Sequence, residues 1–312
     1  MRILVTGAGG YIGSQTCKLL TQQGHQVIAN DINPIKHNYY HQIEVKNFAD
    51  IPTGMLAGID AVVHVAATSL VGPSMTQPRT YYMNNIVNSL QLLEKCLDAN
   101  MYTLVFASSA ACYGEPQEDV CHESMEAQPC SPYGHSKSMM ETILQSYAHA
   151  YGLNSVSLRF FNVAGADSDG EMGQAPDATH IIAKAIERTM AGKGFVLNGK
   201  DFDTPDGTCV RDYVHVEDVA QGILNSIELL QKSSGAYTFN LGGKRGYSNL
   251  EIINSINSVT PLTIDIEFGP ARPGDPGTLI SDPSAANTQL GWEPKHNLDS
   301  IIRTAYNWYN KE

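Results

Sequence analysis

The stretch RILVTGAGGYIGS, from Arg2 to Ser14, decides the fold. Arg2–Thr6 is a short apolar run and predicts a buried strand. Helical spacing starts at Tyr11 and continues to Gln23. Between the two, Gly7, Gly10 and Gly13 form a GxxGxxG loop. The missing side chains let the backbone approach a pyrophosphate and let the helix pack closely on the strand. The helix N-terminus then offers unpaired N–H groups and a positive dipole end to the anion. A turn that needs glycine only for its backbone angles is the plainer reading. The order strand, loop, helix at the start of the chain favours a dinucleotide. A second strand, Gln26–Asn30, runs into Asp31, eighteen residues after Gly13. A carboxylate there accepts hydrogen bonds from the adenosine ribose and repels a 2′-phosphate, so NAD is expected rather than NADP. Ile32 and Asn33 follow it into the cofactor set, and Asp50 and Ile51 are expected to flank the adenine.

Outward from this loop, short apolar runs alternate with helical patterns. Ala61–Val65, Thr103–Ala107 and Ser155–Phe160 read as strands; Thr80–Ala99 and Pro132–Tyr151 read as long helices. Strands alternating with helices imply parallel pairing. The expected fold is α/β: a doubly wound, Rossmann-like parallel sheet with a smaller C-terminal α/β substrate lobe. Residues 1–165 are assigned to the NAD-binding domain and 166–312 mainly to the substrate lobe. The helix Glu217–Leu230 and the strand Ala236–Leu241 suggest that 214–241 returns to the first domain.

Composition narrows the function. Apolar residues make up 42% of the 312, enough for a sizeable core. Lys and Arg number 20 against 32 Asp and Glu, a net charge of −12. Nucleic acid and anionic membranes are poor partners for such a chain, and an anionic ligand needs local cations or backbone amides. No apolar run approaches a membrane span, and a buried strand begins at once, leaving no room for a signal peptide. The six cysteines form no CxxC pair, and the ten histidines no HExxH or Cys/His cluster. Reduced thiols, no metal and a cytoplasmic location are expected.

A second constellation carries chemistry. Tyr133 and Lys137 are four residues apart on a predicted helix, so phenol and ammonium share a face. A free phenol is a poor base near neutrality; a neighbouring Lys⁺ and a cationic nicotinamide would lower its pKa. An amphipathic helix face is the plainer reading of that spacing. Ser108 and Ser109 follow the strand Thr103–Ala107, where ligands sit in parallel sheets. Tyr133 is then the general base and acid, Ser109 holds the substrate oxygen, and Lys137 tunes Tyr133 and anchors the nicotinamide ribose.

These residues resemble the extended short-chain dehydrogenase/reductases and, among them, the UDP-glucose (UDP-galactose) 4-epimerase family. The likeness runs from Arg2 to near Trp308. It includes HVAA at His64–Ala67, the Pro78-x-x-Tyr-Tyr-x-Asn-Asn stretch ending at Asn85, SSAACYGEP from Ser108, SPYGHSK from Ser131 and LRFFNVAGA from Leu158. DTPDGTCVRDYVHVEDVA, Asp203–Ala220, is the most specific stretch; RPGDP from Arg272 and LGWEP from Leu290 complete the pattern. The resemblance implies NAD, a UDP-sugar and a homodimer paired through the two long helices. It implies that Tyr11 and Ile12 line the pyrophosphate, that Ala66 and Ala67 touch the cofactor, and that Asn84 and Phe161 seat its nicotinamide half. Asn162 would touch the sugar nucleotide. His180, Ile181, Val196, Leu197 and Asn198 would surround diphosphate and uracil, Arg211 and Arg272 neutralise the diphosphate, and Asp275 hold the uridine ribose.

Three positions depart from the family pattern. Ser69 stands where a lysine is common, Asn33–Asp60 is shortened, and Leu279 replaces a tyrosine that limits bulk at sugar C2. Ala110 and Ala111 stand where related dehydratases and decarboxylases carry an extra acid or base. The expected reaction is oxidation at C4 followed by reduction. A UDP-N-acetylglucosamine or dual-specificity epimerase, a net-redox enzyme and a non-catalytic dinucleotide sensor are the rival readings.

Overall fold

Four strand sequences in the first 160 residues, within Arg2–Thr6, Gln26–Asp31, Ala61–His64 and Thr103–Ser109, carry an unbroken apolar run, as suits strands buried on both faces. A computed structural model of the protein describes residues 1–271 and 276–311. In it a seven-stranded sheet runs in the order Ala236–Leu241, Asn154–Phe160, Thr103–Ser109, Ala61–His64, Arg2–Thr6, Gln26–Asp31, Gln42–Val45. Every pairing is parallel. Alternate side chains serve opposite faces. Ile3, Val5, Val27, Val63 and Val105 pack under the helices Tyr11–Gln22 and Val216–Leu230, through Leu20, Ile223 and Ile227. Leu4, Ile28, Val62 and Leu104 pack on the other face against Leu92, Leu93, Met140 and Leu144. The helix Val216–Leu230 and strand Ala236–Leu241 thus join this layered body from a later part of the chain.

The remaining elements form smaller sheets. Val210–His215 lies between Gly246–Ser248 and Thr278–Ser281, pairs at its far end with Asn162–Ala164, and Thr278–Ser281 pairs with Val120–Cys121. Phe195–Asn198 pairs with Ile266–Gly269. Helices Ile181–Met190, Asn249–Val259 and Leu298–Tyr309 bury Ile186, Ile253, Ile256 and Ile302 together behind them. No disulfide joins the cysteines, and no helix among the described residues is long and apolar enough to cross a membrane.

Several expected boundaries move. The strand ending at Ala107 continues to Ser109, because Ser108 and Ser109 pair with Arg159 and Phe160. The helix expected over Thr80–Ala99 starts at Pro78, whose missing N–H costs nothing in a first turn, and its ladder widens to a π turn over Met83–Val87 before Asn88–Asp98. Gln42–Val45 is an edge strand that periodicity did not reveal. The shortened connection before it holds no crossover helix.

Two charged clasps hold later segments onto the first layer. Lys18, buried on the first helix, meets Asp167 at 2.8 Å, Asp169 at 2.7 Å and Glu171 at 3.1 Å. His296 presents Nδ1 to Asp218 at 3.0 Å and Nε2 to Glu217 at 3.2 Å, which raises its pKa to about 9. Its ring stacks at 4.0 Å on His215, which burial drives down to about 4. One imidazole is therefore charged and the other neutral. The stabilisation from His296 is complete below the ordinary histidine pKa and is lost as pH rises through about 9. Thermal unfolding from pH 6.5 to 10 should show His296→Gln clearly less stable at the acid end, the gap closing above about pH 9. A gap that stays constant with pH would show that the histidine is not charged.

Candidate active site

The C-terminal ends of the parallel strands converge on one edge of the sheet, where such folds bind ligands. Gly7 leaves the first strand at φ +70°, and a Cβ there would come within 2.8 Å of the Ala66 nitrogen. At Gly13 a Cβ would lie 2.0 Å from the Gly7 carbonyl oxygen. The helix Tyr11–Gln22 starts at Gly10 with no side-chain cap and no acidic residue in its first turn. Its first N–H groups therefore have no partner within the helix. Asp31, at the end of the second strand, accepts from Gly9 N–H at 3.0 Å and Asn33 N–H at 2.9 Å, so its carboxylate is fixed beside the loop. Ile32 next to it is 67% exposed. This cradle fits a dinucleotide: close backbone, uncapped amides and an oriented carboxylate lie together. The Tyr11 hydroxyl, donating to Gly165 O at 2.6 Å, ties the cradle to the loop leading into the second lobe.

Beyond the cradle, Asn84 donates to Thr68 Oγ1 at 3.2 Å. Sequence reasoning passed over its neighbour. Asn85 is buried, accepts from Thr68 N–H at 2.9 Å, and donates to Thr68 O and Ser136 Oγ, both at 3.0 Å. It thereby clips the loop after Ala66 and Ala67 to the helix that bears Tyr133; the doubled asparagine was the available signal. His64 bridges Thr6 at 2.7 Å and Ser89 at 2.8 Å. Asp50 is exposed, whereas Ile51 is buried in the core and its carbonyl accepts from Lys95 at 3.1 Å.

Ser109, Tyr133 and Lys137 come together at the end of the strand Thr103–Ser109. Ser131 caps the helix Pro132–Tyr151 by accepting from Gly134 N–H at 3.1 Å, with Pro132 in the first turn. Ser109 Oγ accepts from Ala111 N–H at 3.2 Å. Lys137 Nζ donates to Ala107 O at 2.6 Å, lies 4.7 Å from the Phe106 ring centroid and 5.8 Å from that of Tyr133. Burial lowers its pKa to about 8. Burial pushes Tyr133 up to about 12, and the Ser109 hydrogen bond, which favours the phenolate, only partly offsets this. In the protein alone Tyr133 is a protonated donor, and it becomes a base when positive charge is brought beside it.

The other predicted residues line the second lobe. Asn162, His180 and Ile181 border one cavity of about 30 Å³ together with Tyr213, Trp308 and Tyr309. His180 precedes the uncapped N-terminus of Ile181–Met190. Along Phe195–Asn198, Val196 faces outward while Leu197 turns into the core. Arg211 donates to Val210 O at 2.8 Å and stands in register with Leu279. Leu279 packs against Phe161 and Tyr113. Arg272 and Asp275 lie outside the described residues.

Residues 3–242 match the NAD dependent epimerase/dehydratase family. The chain is 42% identical to a UDP-glucose 4-epimerase of Lactobacillus helveticus, over 99% of this chain and 97% of that one. It superposes with TM-score 0.95 and 32% identity on a UDP-glucose 4-epimerase of Stenotrophomonas maltophila, solved with NAD and formylated UDP-arabinopyranose, covering 99% and 98% of the two chains. A UDP-glucose 4-epimerase of Bifidobacterium longum, solved with NAD⁺ and UDP, superposes with TM-score 0.92 at 31% identity, covering 100% and 99%.

The glycine geometry gives a direct test. Gly13→Ala should strip the purified protein of dinucleotide and lower its unfolding temperature, whereas Gly54→Ala, with open space around its Cβ, should do neither. The assay is NAD(H) released on denaturation. Full retention by Gly13→Ala would mean that the loop does not hold the cofactor.

Proposed function

The chain belongs to the NAD dependent epimerase/dehydratase family, and on that premise we propose that it interconverts UDP-glucose and UDP-galactose through a transient 4-keto sugar. The observation that carries the reading is the convergence of Ser109, Tyr133 and Lys137, with Ala110, Ala111 and the buried Cys112, whose thiol burial pushes up to about 12, in the turn that follows. That turn offers no further acid or base for elimination or decarboxylation. The chemistry left to the site is removal and return of one hydroxyl proton.

NAD supplies the acceptor and donor of the C4 hydride. The protein's own groups do the rest. Ser109, its oxygen already holding Ala111 N–H, donates toward the phenol and holds the sugar O4. Tyr133 takes the O4 proton and later gives it back. Lys137, fixed on the Ala107 carbonyl, keeps a cation beside the phenol and the nicotinamide ribose. Because burial holds Tyr133 protonated, its basicity is tied to positive charge at the nicotinamide position, so proton and hydride transfer are coupled. Arg211, Arg272 and the N-terminus of Ile181–Met190 anchor the diphosphate while the flat keto sugar turns over. The reaction leaves no net redox change. Presence of both Tyr133 and Lys137 weighs against a sensor.

We also read the chain as a cytoplasmic homodimer. The absence of disulfides supports a reducing compartment. Met83 and Met139, each nearly half exposed on the two long helices, support pairing through those faces.

The purified protein, given UDP-galactose without added NAD, should form UDP-glucose detectable by NMR. A requirement for added NAD, consumed in proportion to product, would place it among net dehydrogenases instead. Tyr133→Phe should lower turnover by about 10²–10⁴-fold while UDP-sugar binding persists. Near-normal activity would remove Tyr133 from its role.

Leu279 should admit an N-acetyl group at C2 in part, because leucine is shorter than tyrosine and adjusts by rotamer. UDP-hexose should be preferred, with slower turnover of UDP-N-acetylglucosamine. Leu279→Tyr should selectively abolish the second activity; an unchanged ratio of kcat/KM values would show that another residue sets the limit.

A further inference from the structure

The catalytic helix Pro132–Tyr151 carries a third polar residue on the face of Tyr133 and Lys137. Glu141 follows Lys137 by one more four-residue step and is buried. Its carboxylate accepts from Arg159 Nε at 3.0 Å, from Arg159 NH2 at 2.6 Å and from Ser108 Oγ at 2.5 Å. Ser108 and Arg159 are cross-strand partners, and Arg159 is in turn paired with Asn240. The row continues. The Arg159 guanidinium lies 4.7 Å from the Tyr113 ring centroid, the Tyr113 hydroxyl donates to Asn240 at 2.7 Å, and Asn240 donates to Cys121 O at 2.9 Å. Cys121 pairs with Ser281, two residues beyond Leu279.

We propose that Glu141 is a positioning residue for the reaction: through Ser108 and Arg159 it sets the strand end that carries Ser109 and the electrostatic surroundings of Lys137. The proposal rests on the epimerase reading given above. A buried ion pair is weak support for stability, since apolar residues of similar volume usually serve as well. Here the pair spans the catalytic helix and two strands, directly behind the hydroxyl that meets Tyr133. Ser108 and Ser109 are adjacent on one strand and point to opposite faces, so fixing the first orients the second. Lys137 faces Tyr133 and Glu141 on its own helix, the Phe106 ring and Ala107 carbonyl on the strand beneath, the Cys112 thiol and His64. Of these neighbours, Glu141 is the carboxylate, and it opposes the burial that strips Lys137 of its proton.

The test is the pH profile of kcat for UDP-galactose epimerisation. Wild-type turnover comes first; its absence would defeat both the epimerase reading and this proposal. With wild type active, Glu141→Gln should lower kcat by about 10–100-fold with KM within about twofold, as loss of an interaction made in the transition state does. Removing the negative charge favours phenolate at Tyr133 and neutral Lys137, so both limbs of the profile should move to lower pH by about one unit. Glu141→Asp, which keeps the charge, should return the profile to its original position. Ser108→Ala should lower kcat by about 3–10-fold without moving the limbs. Should Glu141→Gln fail to fold because Arg159 is stranded, Glu141→Gln with Arg159→Met removes both charges, and its kcat must still fall at least tenfold. Variants that lose thermal stability yet keep wild-type kcat and an unmoved profile would overturn the proposal.

Discussion

A Cβ at position 13 would sit 2.0 Å from the Gly7 carbonyl oxygen, and most of the molecule's function follows from that contact. Only without a side chain there can the first helix press its N-terminus onto the end of the first strand. The helix then points its uncapped amides where the strands end. Four of the later strands in the parallel sheet deliver a loop or side chain to the same edge: Asp31, Ala66, Ser109, Phe161. The site is thus a property of strand direction before it is a property of any one residue.

An acidic chain that handles a dinucleotide and a nucleotide sugar has to spend its few cations carefully. Two are sealed into structural ion pairs, Lys18 with Asp167 and Arg159 with Glu141. Among the described residues Lys137 has no partner carboxylate within ion-pairing distance; its ammonium rests on a backbone carbonyl and an aromatic face. That setting leaves the ammonium, 5.8 Å from the centroid of the Tyr133 ring, without a neutralising carboxylate. The contrast between Arg159, paired with Glu141 one helical turn after Lys137, and Lys137 itself separates support from reactivity.

The central strands were legible because burial on both faces leaves them continuously apolar, as at Ala61–His64. Gln42–Val45 was not, since an edge strand carrying Gln42 and Glu44 has no such run. The smaller sheets join segments far apart in the chain, such as Val120–Cys121 with Thr278–Ser281, and local pattern does not encode those partners. At the site, spacing revealed that Tyr133 and Lys137 share a face. It could not reveal how deeply Tyr133 and Lys137 are buried. Asn85 and Glu141 went unread for the same reason: in sequence, a buried polar residue looks like an exposed one.

The π turn at Met83–Val87 has a meaning for how this chain tolerates change. It amounts to one residue more than an α-helix needs, so the two halves of that helix are rotated relative to each other by about 100°. Within it the Asn84–Asn85 pair addresses the loop at Thr68; after it Leu92, Leu93 and Cys96 address the core. Loss of a single residue in this segment would give a straighter and intrinsically better helix, yet would swing one of those two faces out of place. The segment is therefore fixed in length more strictly than in composition, and its irregularity behaves as a spacer setting the angle between binding and packing.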